Sequence, residues 1–269
     1  MNGMPAPSTA RAPCPRRCSP KIAPSAPLTG IVNMSNTCRL GHRKNSPAGR
    51  RRIGRRTDSN SSRPSLDFIQ AASVPLVFLT AWHMLVGRAG IRPGQTVLVL
   101  GAGSGVGIAA IQIAKLFHAR VITTAGDEKK LEKARALGAD FGINHYTQKI
   151  SQEVRKITNK EGVDIVVEHV GTATWDESMK SLKPGGTIVT CGATTGFNAT
   201  FDLRFLFSRQ LNFLGSYMGT MSELREVLGH VFAGRLKPVV DRTFSLQEAR
   251  AAHEYMEKSQ MFGKIVLNI

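Results

Sequence analysis

The chain has 269 residues, 36 Lys+Arg against 19 Asp+Glu, and a formal net charge of +17. That length suits one or two domains, and an apolar share of 42% supports a buried core and excludes wholesale disorder. Four cysteines are too few for a disulfide scaffold. No uninterrupted apolar run reaches the roughly 18 residues of a spanning helix, so no membrane partner is expected.

The charge is uneven. Residues 1–64 hold 13 Lys+Arg and one acid, Asp58. This segment is rich in Pro, Ser, Arg and Gly and keeps no apolar period, so it reads as disordered. Four origins compete. A basic arm for nucleic acid or acidic lipid would use the five arginines at 50–56. The lack of an aromatic residue before Phe68 argues against base stacking. A transit peptide shares the composition, but the prolines oppose an amphipathic helix. A zinc site could use Cys14, Cys18, Cys38 and His42, though no strand or helix pattern surrounds them. The last reading is that the segment is not native coding sequence.

From Leu66 the character changes. Residues 68–86 are apolar and helix-forming, with Pro75 as a kink or boundary. Residues 92–95 (RPGQ) form a turn, and 96–100 (TVLVL) read as a strand buried on both faces. Gly101, Gly103, Ser104, Gly105, Val106 and Gly107 follow directly. A helix then begins, with Ile108, Ala109, Ala110 and Ile111 inward and Gln112 and Lys115 on the opposite face. Strand, glycine-rich turn and helix make an anion site, because free N–H groups and the positive dipole end meet there. The strict Gly-x-Gly-x-x-Gly pattern fails at Val106; Gly101-x-Gly103-x-x-x-Gly107 fits instead. With both flanking elements visible, dinucleotide binding outweighs an ordinary loop.

The second strand, 120–124 (RVITT), bears on which dinucleotide. An NAD site usually ends this strand with an acid for the ribose 2′-OH. Here Ala125 and Gly126 stand there, and Asp127 reads as a helix N-cap. No carboxylate repels a 2′-phosphate, and Lys130, with Lys129 second, can pair with one. NADP is therefore favoured over NAD.

Alternation continues. Strands are expected at 141–144, 163–170, 187–191 and 211–216, helices at 150–158 and 175–182, and a turn at 183–186. This pattern predicts an α/β fold, a doubly wound parallel (Rossmann) sheet in the order 3-2-1-4-5-6. Gly171 and Gly192, closing the fourth and fifth strands, would then border the crevice and let ribose and ring approach.

From about residue 66 to 269 the chain resembles the medium-chain dehydrogenase/reductase superfamily, closest to its quinone oxidoreductase-like and zinc-type alcohol dehydrogenase-like members. PLVFLTAWHML, RPGQTVLVLGAGSGVG, ALGAD, GVDIVVEHVG, LKPGGTIVTCG and FGKIVLNI carry the resemblance, in order. It covers the nucleotide-binding half only. The family's N-terminal barrel has no counterpart in residues 1–64, which favours the non-native origin of that segment. Two domain-level units result: 1–64, and 65–269 with closing strands at 236–244 and 264–267 that would pack on the absent barrel.

The resemblance implies an oxidoreductase that moves a hydride between a nicotinamide cofactor and a small carbonyl, quinone, enone or alcohol. The alternative is a truncated NADP-binding module with little or no activity. Leu76 stands where the alcohol dehydrogenases place a zinc cysteine, so zinc is not expected and no metal ligand is assigned. No catalytic acid is readable. Family members commonly pair through the outer strand, here 211–216, and a cytoplasmic homodimer is expected.

Overall fold

A computed structural model describes residues 66–269. The basic segment 1–64, with its cysteines and arginine cluster, lies outside the described residues. The described residues open with α1 (Phe68–Ser73), α2 (Pro75–Trp82) and a π-helical turn (His83–Arg88). Pro75 occupies the first turn of α2, where its missing N–H costs nothing. It therefore divides two helices and does not break the run. Taken together, Phe68–Arg88 is long and apolar enough to cross a bilayer. In this fold 56% of its apolar window is buried, and α2 packs on α3 and α8.

Six parallel strands follow: β1 (Thr96–Val99), β2 (Arg120–Ala125), β3 (Phe141–Asn144), β4 (Val163–Glu168), β5 (Leu182–Thr190) and β6 (Asn212–Gly215). Their order is β3-β2-β1-β4-β5-β6, as expected. Helices α3 (Gly105–Leu116) and α4 (Glu128–Ala136) cover one face, while α5 (Ile150–Ile157), α6 (Trp175–Ser181) and α7 (Leu203–Ser208) cover the other. The TVLVL run shows why. Val97 and Val99 enter the core under α2 and α3, while Leu98 and Leu100 enter the core under α5 and α6. A central parallel strand has no solvent face, so it reads as a near-continuous apolar run.

Two details differ from expectation. Gln112 does not face solvent. It is 9% exposed, and its amide brackets Lys237, donating to the carbonyl at 2.9 Å and accepting the N–H at 2.8 Å. A buried amide so satisfied costs little. The turn at 183–186 lies inside β5: Val163 pairs with Leu182 and Ile165 with Thr187, so the residues between bulge from the ladder.

After α8 (Met221–Phe232), β7 (Val240–Ser245) and β8 (Lys264–Asn268) pair in parallel, with α9 (Ala249–Glu257) between them. Ile265, Val266 and Leu267 are buried. The residues just before β8 cross the head of α3, where the Gly263 N–H donates to the Gly103 carbonyl at 2.9 Å.

Candidate functional site

Ligand crevices in such sheets open beyond the strand ends where the order reverses, here between β1 and β4. The turn leaving β1 is held tightly. The Gly101 N–H meets Thr124 Oγ1 at 3.1 Å, and the Ala102 N–H meets the Thr124 carbonyl at 2.8 Å. Ser104 caps α3, its Oγ accepting the Gly107 N–H at 2.9 Å. Losing such a cap costs about 1 kcal/mol. A Cβ at Gly107 would stand 2.3 Å from the Gly101 carbonyl oxygen, so glycine alone lets the helix head sit against the strand end. The first-turn N–H groups that Ser104 leaves free and the positive end of the helix dipole lie at this turn.

Basic side chains approach this turn from two directions. Lys130, on α4, reaches back over it: a Cβ at Gly103 would lie 3.3 Å from Lys130 Cδ. The Lys130 ammonium donates to the Ser259 carbonyl and stands 3.9 Å from the Asp127 carboxylate. Asp127 is the N-cap of α4, accepting the Lys130 N–H at 2.9 Å. Lys129 is exposed one position earlier on the helix, about 100° around from Lys130.

Lys264 comes from β8, 5% exposed, with its Cδ 2.9 Å from where a Cβ on Gly105 would be. Burial pushes its ammonium down to about 8. Sequence reasoning passed over this lysine, although a single charge inside the closing apolar run FGKIVLNI was the signal.

Beyond β2, Ala125 is buried and the Tyr146 ring covers Gly126. His145 meets Tyr146 edge-on at 4.6 Å. Its pKa is lowered, first by desolvation and then by the Lys130 charge. Sequence reasoning did not single out His145, which follows β3 rather than β2.

At the end of β4, Glu168 is fully buried and folds the next turn around itself. It accepts the Val170 and Gly171 N–H groups at 2.6 and 3.0 Å, Thr174 Oγ1 at 2.9 Å and Ser178 Oγ at 2.7 Å. Gly171 is thereby set in the wall of a cleft of about 530 Å³ between the ends of β4, β5 and β6. Gly192 lies in the same wall, against the His169 backbone. Phe197 and Tyr217, 89% and 82% exposed, flank the opening. Two buried polar atoms of lining residues, Trp175 Nε1 and Ser216 Oγ, have no hydrogen-bond partner. The Cys191 thiol also lines the cleft, and burial pushes it up to about 11.

The structure thus brings Gly101, Gly103, Ser104, Gly105, Val106, Gly107 and Lys130 together at one turn, with Gly171 and Gly192 along the neighbouring cleft and Lys129 outside both. Among the described residues no group of three or more His, Cys, Asp or Glu could hold a metal ion. Leu76, in α2, offers only hydrocarbon.

A protein family described as zinc-binding dehydrogenase matches residues 105–233. A 2-haloacrylate reductase of a Burkholderia species is 35% identical over 212 residues, covering 75% of this chain and 64% of that protein. The solved structure of an NAD-dependent alcohol dehydrogenase superposes with a TM-score of 0.73 at 47% identity, covering 76% of this chain and 60% of that one. A 2-octenoyl-CoA carboxylase reductase solved with NADP and 2-octenoyl-CoA gives a TM-score of 0.70 at 30% identity, covering 75% of this chain and 50% of that one. The chain thus spans about half to two thirds of the length of these proteins.

Proposed function

The chain belongs to the medium-chain dehydrogenase/reductase superfamily through its nucleotide-binding half, and we propose that it is an NADP-dependent oxidoreductase acting on a small carbonyl, quinone, enone or alcohol. The observation that carries this is the glycine-rich turn at the head of α3 with Lys130 and Lys264 beside it. Bound there, the cofactor supplies or accepts the hydride. The N–H groups at the start of α3 and the Lys264 ammonium hold the diphosphate. Lys130 exchanges the Ser259 carbonyl for the 2′-phosphate, a charge-assisted pair stronger than a neutral hydrogen bond. Ala125 presents no carboxylate to repel that phosphate. Gly171 and Gly192 let ribose and ring approach the strand ends, and Phe197 and Tyr217 flank the opening.

The 2-octenoyl-CoA carboxylase reductase solved with NADP supports a nicotinamide cofactor of the phosphorylated kind. The 47%-identical neighbour is named NAD-dependent, so the choice between the two rests on Ala125 and Lys130. The reading includes a homodimer joined through β6, which ends the sheet, and a cytoplasmic location.

One observation favours a second reading, a module that binds NADP with little or no turnover. The titratable side chains lining the cleft are Cys191 and Tyr217, and the thiol sits near 11, too high to donate a proton readily at neutral pH. The test is NADPH oxidation by the full chain, followed by nicotinamide absorbance, against quinones, enones and aldehydes. Saturable turnover with any of them supports the oxidoreductase. Tight NADPH binding without turnover across the panel supports the module.

A further inference from the structure

We infer that His169 is a positioning residue of the cofactor site: its imidazole, carrying the proton on Nε2, clamps the glycine-rich turn to the end of β4 and aims the Ser104 hydroxyl at the cofactor diphosphate. The inference rests on the reading of that turn as the diphosphate site.

His169 Nε2 lies 2.9 Å from the Leu100 carbonyl oxygen and 3.3 Å from Ser104 Oγ. A carbonyl oxygen only accepts, so Nε2 must be the donor, which sets the tautomer. Two consequences follow for Ser104. Its Oγ already accepts the Gly107 N–H at 2.9 Å, and the imidazole N–H approaches it as a second donor. The hydroxyl proton cannot go to Nε2, which has no free lone pair in this tautomer. It is therefore left to point away from both donors, available to an acceptor at the head of α3. A phosphate oxygen is the acceptor that this position suits.

The ring is also packed where it joins the two walls. A Cβ at Gly101 would stand 3.1 Å from His169 Cε1, so the imidazole lies directly against the turn. On its other side the His169 backbone meets Gly192, whose Cβ would lie 3.1 Å from the His169 carbonyl oxygen. One residue thus touches the turn after β1 and the glycine after β5. Burial lowers the imidazole pKa against the opposing pull of Glu168, the Leu100 carbonyl and the residue's own backbone.

The test uses the full chain, His169→Leu and His169→Gln, with NADPH affinity read by cofactor fluorescence and folding by thermal melting. Leucine removes the donor. Glutamine restores an amide N–H near the Nε2 position with no lone pair on the nitrogen. We expect the Leu variant to bind NADPH at least about tenfold more weakly and the Gln variant to return to within about threefold of the parent. A purely structural role would move the melting temperature of both variants without this rescue. Parent-like affinity in His169→Leu, or a Gln variant no better than Leu, overturns the clamp. Should the Leu variant fail to fold, nitrogen NMR of the parent decides: an Nε2–H tautomer supports the clamp, and an Nδ1–H tautomer overturns it. A parent that binds no dinucleotide overturns the cofactor reading itself, and the two failures are thereby distinguished.

Discussion

Replacing Lys264 by methionine keeps most of the length of a buried side chain and removes its charge. Burial has moved this ammonium from 10.5 to about 8, a displacement equivalent to roughly 3 kcal/mol against the charged form at 1.36 kcal/mol per unit. The folded value lies below the unfolded one. Between pH 8 and 10.5 the unfolded chain therefore holds more of this proton, and folding stability rises with pH across that window. Below pH 8 both states are protonated and Lys264 contributes no slope. A cofactor diphosphate acts in the opposite sense, because it favours the ammonium. NADPH affinity should accordingly fall as pH rises above 8, with a proton taken up on binding. Lys264→Met should show a flatter stability curve from pH 8 to 10.5. Its NADPH affinity should drop at least about tenfold at neutral pH and lose the alkaline decline. Thermal melts and fluorescence titrations across that pH range, read as differences between parent and variant, measure both effects. Unchanged affinity in the variant, with the alkaline decline intact, would remove Lys264 from the site.

Three further outcomes are expected. Lys130→Ala should weaken NADPH by about tenfold or more while leaving NADH unchanged in a fluorescence titration; equal losses for both would show that Lys130 does not meet a 2′-phosphate. Gly103→Val would place a Cβ 3.1 Å from the Met261 carbonyl and 3.3 Å from Lys130 Cδ. It should abolish NADPH binding while the helical circular dichroism survives, and retained affinity would take the turn out of the site. Gly215→Glu probes the homodimer through β6: a Cβ there meets no atom within 4 Å in the protomer, yet a charge would oppose strand pairing across a two-fold axis. Light scattering should report a monomer for this variant and a dimer for the parent. Phe213 is a poorer probe, because its ring packs edge-on against Trp175 at 5.6 Å and Phe201 at 5.1 Å.

What could be read from the residues alone follows a physical division. The sheet was legible because a parallel strand covered on both faces reads as a near-continuous apolar run, as Val97, Leu98 and Val99 do. The glycine turn was legible because strand, turn and helix are contiguous. Gln112 was misplaced because its partner, the Lys237 backbone, lies 125 residues away, and helical periodicity carries no trace of such a bond. His169 and Lys264 escaped for the same reason. Each reaches the turn from a strand remote in sequence, His169 from the end of β4 and Lys264 from the last strand of the chain. A charge inside FGKIVLNI and a histidine inside VVEHV were visible, but only the fold shows that both point at Gly101–Gly107.

Binding of NADPH at the head of α3 is tested most directly by a calorimetric titration of the full chain with NADPH and NADH. Saturable binding near one cofactor per chain, tighter for NADPH than for NADH, is the expected result. Absence of binding by either nucleotide at millimolar concentration would contradict it.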